Sequence, residues 1–511
     1  MDQVSPQVPS AALSLLDEKE KLAKPAAVHV ISAKSSTTFE LEHTVEELSS
    51  STLPDSNSSR DHTSSLSLDE KAISWEDFHN DNYSNKKQNR VIRNLRFQLL
   101  NVYRRLFTVA FIANMAIFIA FCVRGASVPK LAEITVSNIF VAVLIRQEYV
   151  VNAIFAIACS GPQSWPLWIR LKLCRVYSLF GGIHSGTAAS GTIWLILFCG
   201  QATRNFVDGG AISVHTLGVS YAILLLLLLM VVFAYPALRS KRHDTFEYIH
   251  RFMGWTVVGL VWSQVVLLNN DFKGHLSLAH ALRNDPTFWL VVVLTGSIIL
   301  PWLKLRKEPV RSEVLSKHAV RLYFDYDEPV PGSFIRISND GLFEYHSFAT
   351  ISVPGTKGFS AIVSRAGDWT SEMIASPPSR IWVRGIPTTG VMRIVPLFRR
   401  VVVVATGSGI GPCAPHVFAK LSTIQLLWTA PNVRETFGDK LVDDILEASP
   451  TAVIYDTRKS GKPDMVKLVA RLVKEFDAEA VCIISNTPLT KKVVYGMMSR
   501  GIPAFGAIWD S

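Results

Sequence analysis

The sequence is poor in charged residues and in cysteine. Only 18% of its 511 residues are charged, whereas soluble proteins contain about 25%, so a purely soluble protein is disfavoured. The 49% share of hydrophobic residues excludes disorder throughout the chain. Six cysteines without a CxxC pair exclude a disulfide scaffold and indicate reduced thiols rather than a zinc or redox motif. No basic segment followed by an apolar one opens the chain, so we predict no secretory signal.

Charge is distributed unevenly along the chain. Residues 1–85 carry a net charge of −9 and are rich in serine, threonine and acids, whereas the remaining residues carry +19. The first segment shows no helical or strand period and cannot bury enough apolar surface to offset chain entropy, so we predict a disordered cytosolic tail. The basic residues of the remainder cluster beside apolar runs, as in membrane proteins, and we predict no nucleic-acid partner.

Six long apolar runs lie between residues 86 and 311. They cover residues 106–124, 132–159, 176–199, 214–236, 250–268 and 287–303. Each is nearly or fully long enough to cross a hydrocarbon core of about 30 Å, which predicts a six-span transmembrane domain in contact with membrane lipid. Basic residues concentrate before the first, third and fifth runs and after the sixth, so both termini are predicted to be cytosolic. We expect a multi-pass protein of the plasma membrane or an endomembrane.

Residues 312–511 have the pattern of a mixed α/β module. Short alternating runs punctuated by proline and glycine predict a small antiparallel β-barrel over residues 312–396. Over residues 397–511 strands alternate with helices, beginning with the buried run Val401–Val404, which predicts a parallel sheet with crossover helices. The expected fold is multi-domain, with a six-helix α transmembrane bundle followed by the antiparallel barrel and the α/β parallel-sheet domain.

A glycine-rich turn follows the first strand of the predicted parallel sheet. Its members are Thr406, Gly407, Ser408, Gly409, Ile410, Gly411 and Pro412. Glycine allows a tight turn and a close approach of backbone to phosphate, which the N–H groups of the following helix then favour. The turn therefore predicts NAD(P)H binding. Arg458 and Lys459, after the third strand, either select the 2′-phosphate of NADPH or belong to a solvated basic loop.

A barrel strand and a later helix start form a candidate FAD site. The strand presents His346, Ser347, Phe348 and Thr350, and the helix start presents Gly367, Thr370 and Ser371. A histidine, a hydroxyl and an aromatic ring on one strand can hold the phosphate, the ribityl chain and the ring of a flavin. The N–H groups of a helix start can bind its pyrophosphate. The alternative is an ordinary barrel strand.

Four further stretches occur in a fixed order along the chain: Arg146–Glu148, Gly181–Gly186, Ala405–Pro412 and Ile508–Ser511. With them, residues 90–511 resemble the fungal TmpA-like integral membrane flavoproteins, which are associated with conidiation. These are related to the ferric reductase and NADPH oxidase branch of the ferredoxin–NADP reductase superfamily. The resemblance implies a ferredoxin–NADP reductase-like module that binds FAD and NAD(P)H.

The same resemblance implies roles for individual residues. The branch carries a His-Pro-Phe-Thr flavin motif, and His346–Ala349 is similar to it with proline and threonine replaced. Ser485 and Asn486 stand where the superfamily usually has Cys-Gly beside the nicotinamide. Trp509 either covers the flavin ring, as terminal aromatic residues do in this superfamily, or is a core aromatic residue.

Two histidines fall in the predicted membrane domain. His184 lies in the third run and His250 at the start of the fifth, both toward the cytosolic side. Facing imidazoles at similar depth can ligate the iron of one b-type haem, and the alternative is a structural or interfacial role. The ferric reductase pattern has a second histidine about 20 Å further along each helix, where this chain has residues 197–198 and 263–264, none of them histidine. We predict that the outer haem is absent, which argues against a ferric reductase or a superoxide generator.

Arg146 and Glu148 interrupt the second apolar run. Charges at that depth are costly, so both are expected to face the bundle interior and to be paired. Arg146 can meet a haem propionate, a quinone or a lipid head group, or it can be neutralised by Glu148 or by a neighbouring helix. The sequence indicates no catalytic residue.

Together these features predict a membrane-bound flavoprotein oxidoreductase. Electrons would pass from NAD(P)H through FAD, and through one haem where it is bound, to an unknown acceptor. A quinone or another lipophilic metabolite suits an exit inside the membrane better than an external metal chelate does. The alternative is a regulatory, redox-sensing membrane flavoprotein with little or no turnover, which the altered flavin and nicotinamide motifs favour.

Overall fold

The computed structural model describes residues 77–507, so most of the predicted tail and Trp509 lie outside the described residues. Helices fill the first half of this range. They are α1 (Arg90–Asn94), α2 (Val102–Arg124), α3 (Val128–Leu144), α4 (Glu148–Cys159), α5 (Leu167–Leu173), α6 (Leu179–Val207), α7 (Val214–Phe233), α8 (Pro236–Lys241), α9 (His243–Phe272), α10 (Leu278–Asn284) and α11 (Pro286–Ile299).

Five helical stretches are long and apolar enough to cross a bilayer. They cover Val102–Arg124, Leu167–Val207, Val214–Phe233, Thr245–Phe272 and Pro286–Lys304. Five of the six predicted apolar runs fall on these helices. Large apolar side chains on α2 and α7 point outward, among them Ile112, Ile119 and Leu225, each about 60% exposed. Soluble monomers rarely expose contiguous apolar surface of this extent, so something apolar is expected to cover the outside of the bundle.

The second apolar run is not one continuous helix. The axes of α3 and α4 differ by 69°. The side chain of Gln147 accepts hydrogen bonds from the backbone N–H groups of Tyr149 (2.6 Å) and Val150 (3.2 Å), so it caps a new helix. The run over residues 132–159 is therefore a bent pair of helices, in which α4 turns away from α3 and packs on the α/β module.

Helix α6 is central to the bundle and packs against α2 and α3. Glycine allows α2 to approach closely, since a Cβ atom on Gly182 would lie 2.7 Å from the carbonyl oxygen of Tyr103. Further along α6, Trp194 is fully buried and its Nε1 donates to Oδ1 of Asn114 on α2 (3.0 Å). The glycine-rich stretch of the third run thus has a packing role.

Two antiparallel sheets and one helix follow the bundle. Their elements are β1 (Arg306–Pro309), β2 (Arg311–Val314), β3 (Ala319–Phe324), β4 (Ser333–Ser338), β5 (His346–Ala349), β6 (Phe359–Ser364), α12 (Asp368–Ala375) and β7 (Arg380–Thr389). The strand orders are β1-β7-β4-β5 and β2-β3-β6. Alternate residues such as Val320, Leu322, Ile335 and Ile337 are buried between the sheets. The predicted antiparallel architecture of this region is confirmed.

A parallel sheet with helices completes the chain. Its elements are β8 (Arg400–Thr406), α13 (Ile410–Ala419), β9 (Thr423–Ala430), α14 (Val433–Phe437), α15 (Asp439–Ala448), β10 (Val453–Asp456), α16 (Met465–Glu475), β11 (Ala480–Ile484), α17 (Thr487–Met498) and β12 (Ala504–Gly506). The strand order is β10-β9-β8-β11-β12, as predicted for strands that alternate with helices. The order reverses between β8 and β11, and ligands of such sheets bind at the carboxyl ends of the strands at this reversal.

Residues 77–85 belong to the packed structure, although the sequence predicted a disordered tail as far as residue 85. Phe78 is 1% exposed and packs with residues of the helices that cover the parallel sheet. The guanidinium of Arg500 lies 4.2 Å from the ring of Tyr83. Phe78 and Tyr83 are isolated aromatic residues in a polar stretch, so composition alone did not reveal their role.

Candidate functional site

The glycine-rich turn follows β8 directly and is held from two sides. Gly407 has φ +53°, in the left-handed region that favours glycine. A Cβ atom on Gly409 would lie 2.5 Å from the carbonyl oxygen of Ile484 at the end of β11. On the other side, Nε1 of Trp428 donates to the carbonyl oxygen of Gly407 (3.0 Å). The backbone of the turn is therefore held in place, its conformation favours glycine at position 407, and position 409 has no room for a side chain.

Two hydroxyl groups meet where the strand order reverses. Thr406 ends β8, Ser485 follows β11, and their side-chain oxygens lie 2.6 Å apart. Asn486 caps α17 by accepting from the N–H of Leu489 (3.0 Å). Helix α13 begins at Ile410, so its first N–H groups and the positive end of its dipole lie at the same edge of the sheet. The two predicted sets of nucleotide-binding residues thus come together, and the arrangement suits a pyrophosphate.

Arg458 and Lys459 lie on the same edge of the sheet, after β10. Strand β10 is two strands from β8, a distance of about 10 Å. The N–H of Arg458 donates to Oδ1 of Asp456 (2.9 Å), which also accepts from the N–H of Asn432 (3.0 Å), while both basic side chains are exposed. Exposed cations at this distance suit the 2′-phosphate end of NADPH, and a solvated basic loop shows the same exposure.

The strand assigned to FAD is β5, at the edge of its sheet. His346 and Phe348 point to the face that packs against the barrel core, where Trp369 covers both rings at centroid distances of 4.1 and 5.9 Å. A flavin ring stacked on Phe348 therefore requires Trp369 to move. Ser347 is exposed on the opposite face, and the hydroxyl of buried Thr350 donates to a carbonyl oxygen of β4 (3.1 Å).

The start of α12 satisfies its own hydroxyl groups. Oγ1 of Thr370 accepts from the N–H groups of Ala366 (2.8 Å) and Gly367 (3.0 Å). Oγ of Ser371 donates to the carbonyl oxygen of Gly367 (2.7 Å). Asp368 adds a carboxylate to the first turn, so a pyrophosphate bound here would meet a negative charge. The helix start fits the pyrophosphate of FAD less well than the glycine-rich turn fits that of NAD(P)H.

His184 on α6 and His250 on α9 face each other, with ring centroids 6.1 Å apart and ring planes inclined by 68°. Nδ1 of His184 lies 2.7 Å from the carbonyl oxygen of Ala142, which leaves Nε2 for a ligand. Nδ1 of His250 is buried without a hydrogen-bond partner within residues 77–507. Two metal–imidazole bonds of about 2.1 Å would separate the ring centroids by about 6 Å, so the distance between the two rings is compatible with one shared metal ion.

The positions of the absent second histidine pair are filled by packed or polar side chains. Phe198 is fully buried in the bundle and Leu197 packs beside that core. Nε2 of buried Gln264 donates to Oγ of Ser220 (2.9 Å), and Ser263 bonds to its own helix. At this level the described bundle has a close-packed core.

Glu148 pairs with the barrel. Its Oε1 lies 2.5 Å from a guanidinium nitrogen of Arg336 on β4, and its Oε2 accepts from the N–H of Ile386 on β7 (3.1 Å). One turn further along α4, Oδ1 of Asn152 accepts from the N–H of Thr389 (2.8 Å). Glu148 thus contacts the barrel through α4, and Arg146 stands at the bend before that helix.

A second contact between the helices and the α/β module involves Arg170, which belongs to no sequence motif. Arg170 of α5 is 2% exposed and binds both carboxylate oxygens of Glu479 (2.7 and 2.8 Å), and it also donates to the carbonyl oxygen of Leu397 (2.8 Å). Burial raises the pKa of Glu479, but Arg170 and the N–H of Arg399 outweigh it and hold that pKa below its usual value. From sequence, Arg170 was only one of the basic residues that indicated orientation.

Comparison with known proteins identifies relatives of most of the chain. Residues 391–511 match the family model described as "Adenylate-forming reductase 03009, C-terminal domain". Two proteins of the fungus Coprinopsis cinerea are similar over 88% of this chain. They are adenylate-forming reductase 03009, 57% identical over 452 residues, and adenylate-forming reductase 06235, 56% identical over 455 residues. The chain spans 44% of the length of each of these relatives. Neither relative is named as a TmpA-like protein or a ferric reductase.

Solved structures are similar to a smaller part of the chain. A ferredoxin NADP+ reductase from Neisseria gonorrhoeae with bound FAD and NADP is 15% identical, covering 40% of this chain and 99% of that structure, with a TM-score of 0.34. Phthalate dioxygenase reductase is 14% identical, covering 40% of this chain and 68% of that one, with a TM-score of 0.31.

Proposed function

We propose that this chain is a membrane-anchored oxidoreductase that takes electrons from NAD(P)H through FAD. One observation carries the proposal: the glycine-rich turn after β8 and the Ser485-Asn486 pair after β11 meet at the reversal of a five-stranded parallel sheet. That arrangement supplies backbone N–H groups and a helix dipole to a pyrophosphate, and hydroxyl groups to the ring that follows it.

The residues of the chain bind and orient the nucleotide and the flavin, while the cofactor carries the redox chemistry. The N–H groups of residues 407–411 hold the NAD(P)H pyrophosphate, and Arg458 with Lys459 favours the 2′-phosphate of NADPH. Thr406 and Ser485 direct their hydroxyl groups to the nicotinamide side of the crevice. FAD, when bound, accepts a hydride from the nicotinamide and can release its electrons singly.

The FAD site in this proposal lies between β5, α12 and the glycine-rich turn. The fit is partial, because Trp369 covers Phe348 and Asp368 opposes a pyrophosphate. Ala349 lies within contact distance of a Cβ atom built on Gly411 (3.9 Å), so the barrel strand and the nucleotide turn are neighbours, and residues of both would line a flavin bound beside them.

The membrane location is proposed from the exposed apolar helices. Five stretches pass the length and hydropathy requirement for a span, and the bent α3–α4 pair is counted as a sixth. With basic loops on one side, both termini and the α/β module are cytosolic. Lipid would cover the outward side chains of α2 and α7. The plasma membrane or an endomembrane is the proposed site.

His184 and His250 are the residues that would hold the iron of one b-type haem on the cytosolic side of the bundle, and the haem would supply one-electron transfer. The orphaned Nδ1 of His250 and the ring separation support this assignment. Since packed side chains fill the level of the outer haem, electrons would leave from the cytosolic half of the membrane. A quinone or another lipophilic metabolite is the proposed acceptor.

Absorption spectra of the detergent-purified chain, before and after anaerobic NADPH or NADH, test the proposal. We expect a flavin band that either nucleotide bleaches and a haem α-band that then grows. His184→Ala should remove the haem band but not the flavin band, and His280→Ala, an exposed histidine outside the pair, should change neither. Flavin bleaching without a haem band would reject the haem alone. A flavin that neither nucleotide bleaches would reject the enzyme in favour of the regulatory alternative.

A second candidate follows from the relatives. Because 88% of the chain is similar to proteins named adenylate-forming reductases, the chain is also a candidate for reducing an activated carboxylic acid with NAD(P)H. An acyl adenylate or thioester added with NADPH would then yield an aldehyde. An aldehyde formed without flavin would favour this candidate, and NADPH oxidation that depends on flavin would favour the first.

A further inference from the structure

Three arginines gather where the bundle meets the barrel. We call Arg251 of α9, Arg336 of β4 and Arg384 of β7 the junction arginines. Arg336 and Arg384 are directly opposite each other in the antiparallel pair of β4 and β7. Like charges placed opposite on neighbouring strands destabilise a sheet, so this arrangement needs a compensating anion.

The carboxylates of Glu148 and Glu247 both act on Arg336, and Glu148, the one in contact with it, is already engaged. It is 5% exposed, lies 2.5 Å from Arg336 and also accepts the N–H of Ile386 (3.1 Å). Arg336 additionally donates to Oγ1 of Thr388 (3.3 Å). Arg336 is therefore accounted for within the protein, and Arg384 is the member of the pair that keeps its charge without a carboxylate contact in the described structure.

Arg384 lies between two aromatic rings. Its guanidinium is 4.8 Å from the ring of Trp302 and 4.6 Å from that of Tyr345. Its Nε is buried and has no hydrogen-bond acceptor within the described residues. Burial, and next the charge of Arg336, lower the pKa of Arg384 to about 10, so it remains charged at neutral pH. An orphaned, charged donor in this position is suited to an incoming anion.

Arg251 brings a second cation to the same place. Its guanidinium lies 6.0 Å from the ring of Tyr345 and donates to the carbonyl oxygen of Phe343. Tyr345 is thus in contact with the two cations Arg251 and Arg384. An anion beside this ring can reach both guanidinium groups, and a phosphate is the group that paired guanidiniums bind best.

An apolar cleft adjoins these cations. It has a volume of about 320 Å³, and its lining includes Trp255, Val258, Ile298, Trp302 and Leu342. Trp302 belongs to both features, because one part of it lines the cleft while Arg384 stacks on its ring. Trp255 and Trp302 pack edge to face at 5.5 Å. Trp302 directly follows the apolar helix α11, and tryptophan at the end of such a helix marks the level of lipid head groups.

We propose that the cleft and the junction arginines form a binding site for an anionic phospholipid, with the phosphate on Arg251 and Arg384 and an acyl chain between α9 and α11. Basic pockets beside membrane helices bind lipid phosphates in this way. The inference rests on the proposed membrane location but not on electron transfer. A lipid bound here would join the bundle to the barrel strand that carries Arg384.

Native mass spectrometry of the full chain in detergent tests the site with three probes: dioctanoyl phosphatidic acid, dioctanoyl phosphatidylcholine and inorganic phosphate. We expect phosphatidic acid to bind at least about tenfold more tightly than the other two, which corresponds to about 1.4 kcal/mol. Arg384→Gln and Arg251→Gln should each remove this advantage. Arg380→Gln, an exposed arginine on the same strand β7, should retain it. Ile298→Trp, which fills the cleft, should weaken the lipid but not free phosphate.

Several results would overturn the proposal. Equal affinity for phosphatidic acid and phosphatidylcholine would show that the arginines select no phosphate. Free phosphate binding as tightly as phosphatidic acid would show that the cleft holds no chain. Loss of the 450 nm flavin band in Arg384→Gln together with the lipid advantage would assign Arg384 to the flavin. Failure of NAD(P)H turnover would reject the proposed enzyme and leave the lipid measurement intact, so the two failures are distinguishable.

Discussion

Replacing Arg170 tests whether a buried ion pair docks α5, which lies between α4 and α6 in the chain, on the α/β module. Arg170 and Glu479 are joined by two charge-assisted hydrogen bonds of 2.7 and 2.8 Å, and their side chains are 3% and 18% exposed. Arg170→Met keeps the length of the side chain and removes the charge. It leaves the Glu479 carboxylate with the N–H of Arg399 and the charge of the Arg399 side chain, but without an ion-pair partner in contact.

The expected loss of stability follows from the charged and polar groups that each variant leaves without a partner. Breaking a buried pair by removing one partner costs about 3–5 kcal/mol, and the partial exposure of Glu479 places Arg170→Met near the low end, at about 3 kcal/mol. The double variant Arg170→Met, Glu479→Met leaves no unpaired charge. It loses the bonds from Arg170 to two backbone carbonyl groups, about 1 kcal/mol each, and the bond from the N–H of Arg399, an exposed residue at which water can replace the lost acceptor. The double variant should therefore be more stable than the single variant by about 1 kcal/mol.

Thermal unfolding of the detergent-purified variants, followed by tryptophan fluorescence, provides the measurement. Arg400→Met is the matched control, because its partner Asp477 is on the same edge of the module but the pair is exposed, so it should cost less than about 1 kcal/mol. The pH dependence has a defined sign. Since the folded pKa of Glu479 is lowered, the contribution of its carboxylate is present above about pH 4.3 and is lost as pH falls through the folded value. A double variant as unstable as the sum of the singles would refute the reasoning.

Three further predictions concern the α/β module. Gly409→Val should weaken NAD(P)H binding at least about tenfold in titrations, because a Cβ atom at this position would lie 2.5 Å from the carbonyl oxygen of Ile484. The control Gly200→Ala, in open space on α6, should leave binding unchanged. Burial lowers the pKa of His416 to about 3, so its ring stays neutral in the folded state. In chemical denaturation the free energy of unfolding should keep its full contribution from neutral His416 above about pH 6.5 and should fall by about 1.4 kcal/mol per pH unit below it. His416→Leu should flatten that slope. Phe78→Ala should cost about 3 kcal/mol of stability in the same denaturation assay if the segment before α1 is part of the core, and an unchanged midpoint would contradict this.

The proposed nucleotide site is visible in the sequence because each of its signals is local. The run Val401–Val404 predicts a buried strand, and Gly409 in the turn that follows is required by its close approach to Ile484. The neighbourhood of Ser485 and the turn follows from a parallel sheet, in which strand ends share one edge. Alternation of strands and helices predicts such a sheet, so the contact between Thr406 and Ser485 is a consequence of topology.

Strand β5, which we propose as part of the FAD site, shows what local sequence signals cannot predict. His346, Phe348 and their spacing were visible in the sequence, but which face of β5 they occupy depends on its register with β4. A one-residue shift of register exchanges the two faces of a strand. The partner of these rings, Trp369, lies on α12, and no periodicity links it to β5. The pairing of Arg336 with Arg384 is likewise set by strand register and is invisible to charge counting.

The bend before α4 explains why hydropathy alone gave a straight second span. A helix that packs on a protein surface and a helix that lies in lipid both present long apolar runs, so length and hydropathy do not separate them. The separating signal is polar spacing: Glu148 and Asn152 are four residues apart and so share one face of α4. That face meets β7, where it satisfies the N–H groups of Ile386 and Thr389. Because α3 continues directly into α4, the bend joins the bundle to the barrel, as does the segment that runs from α11 into β1.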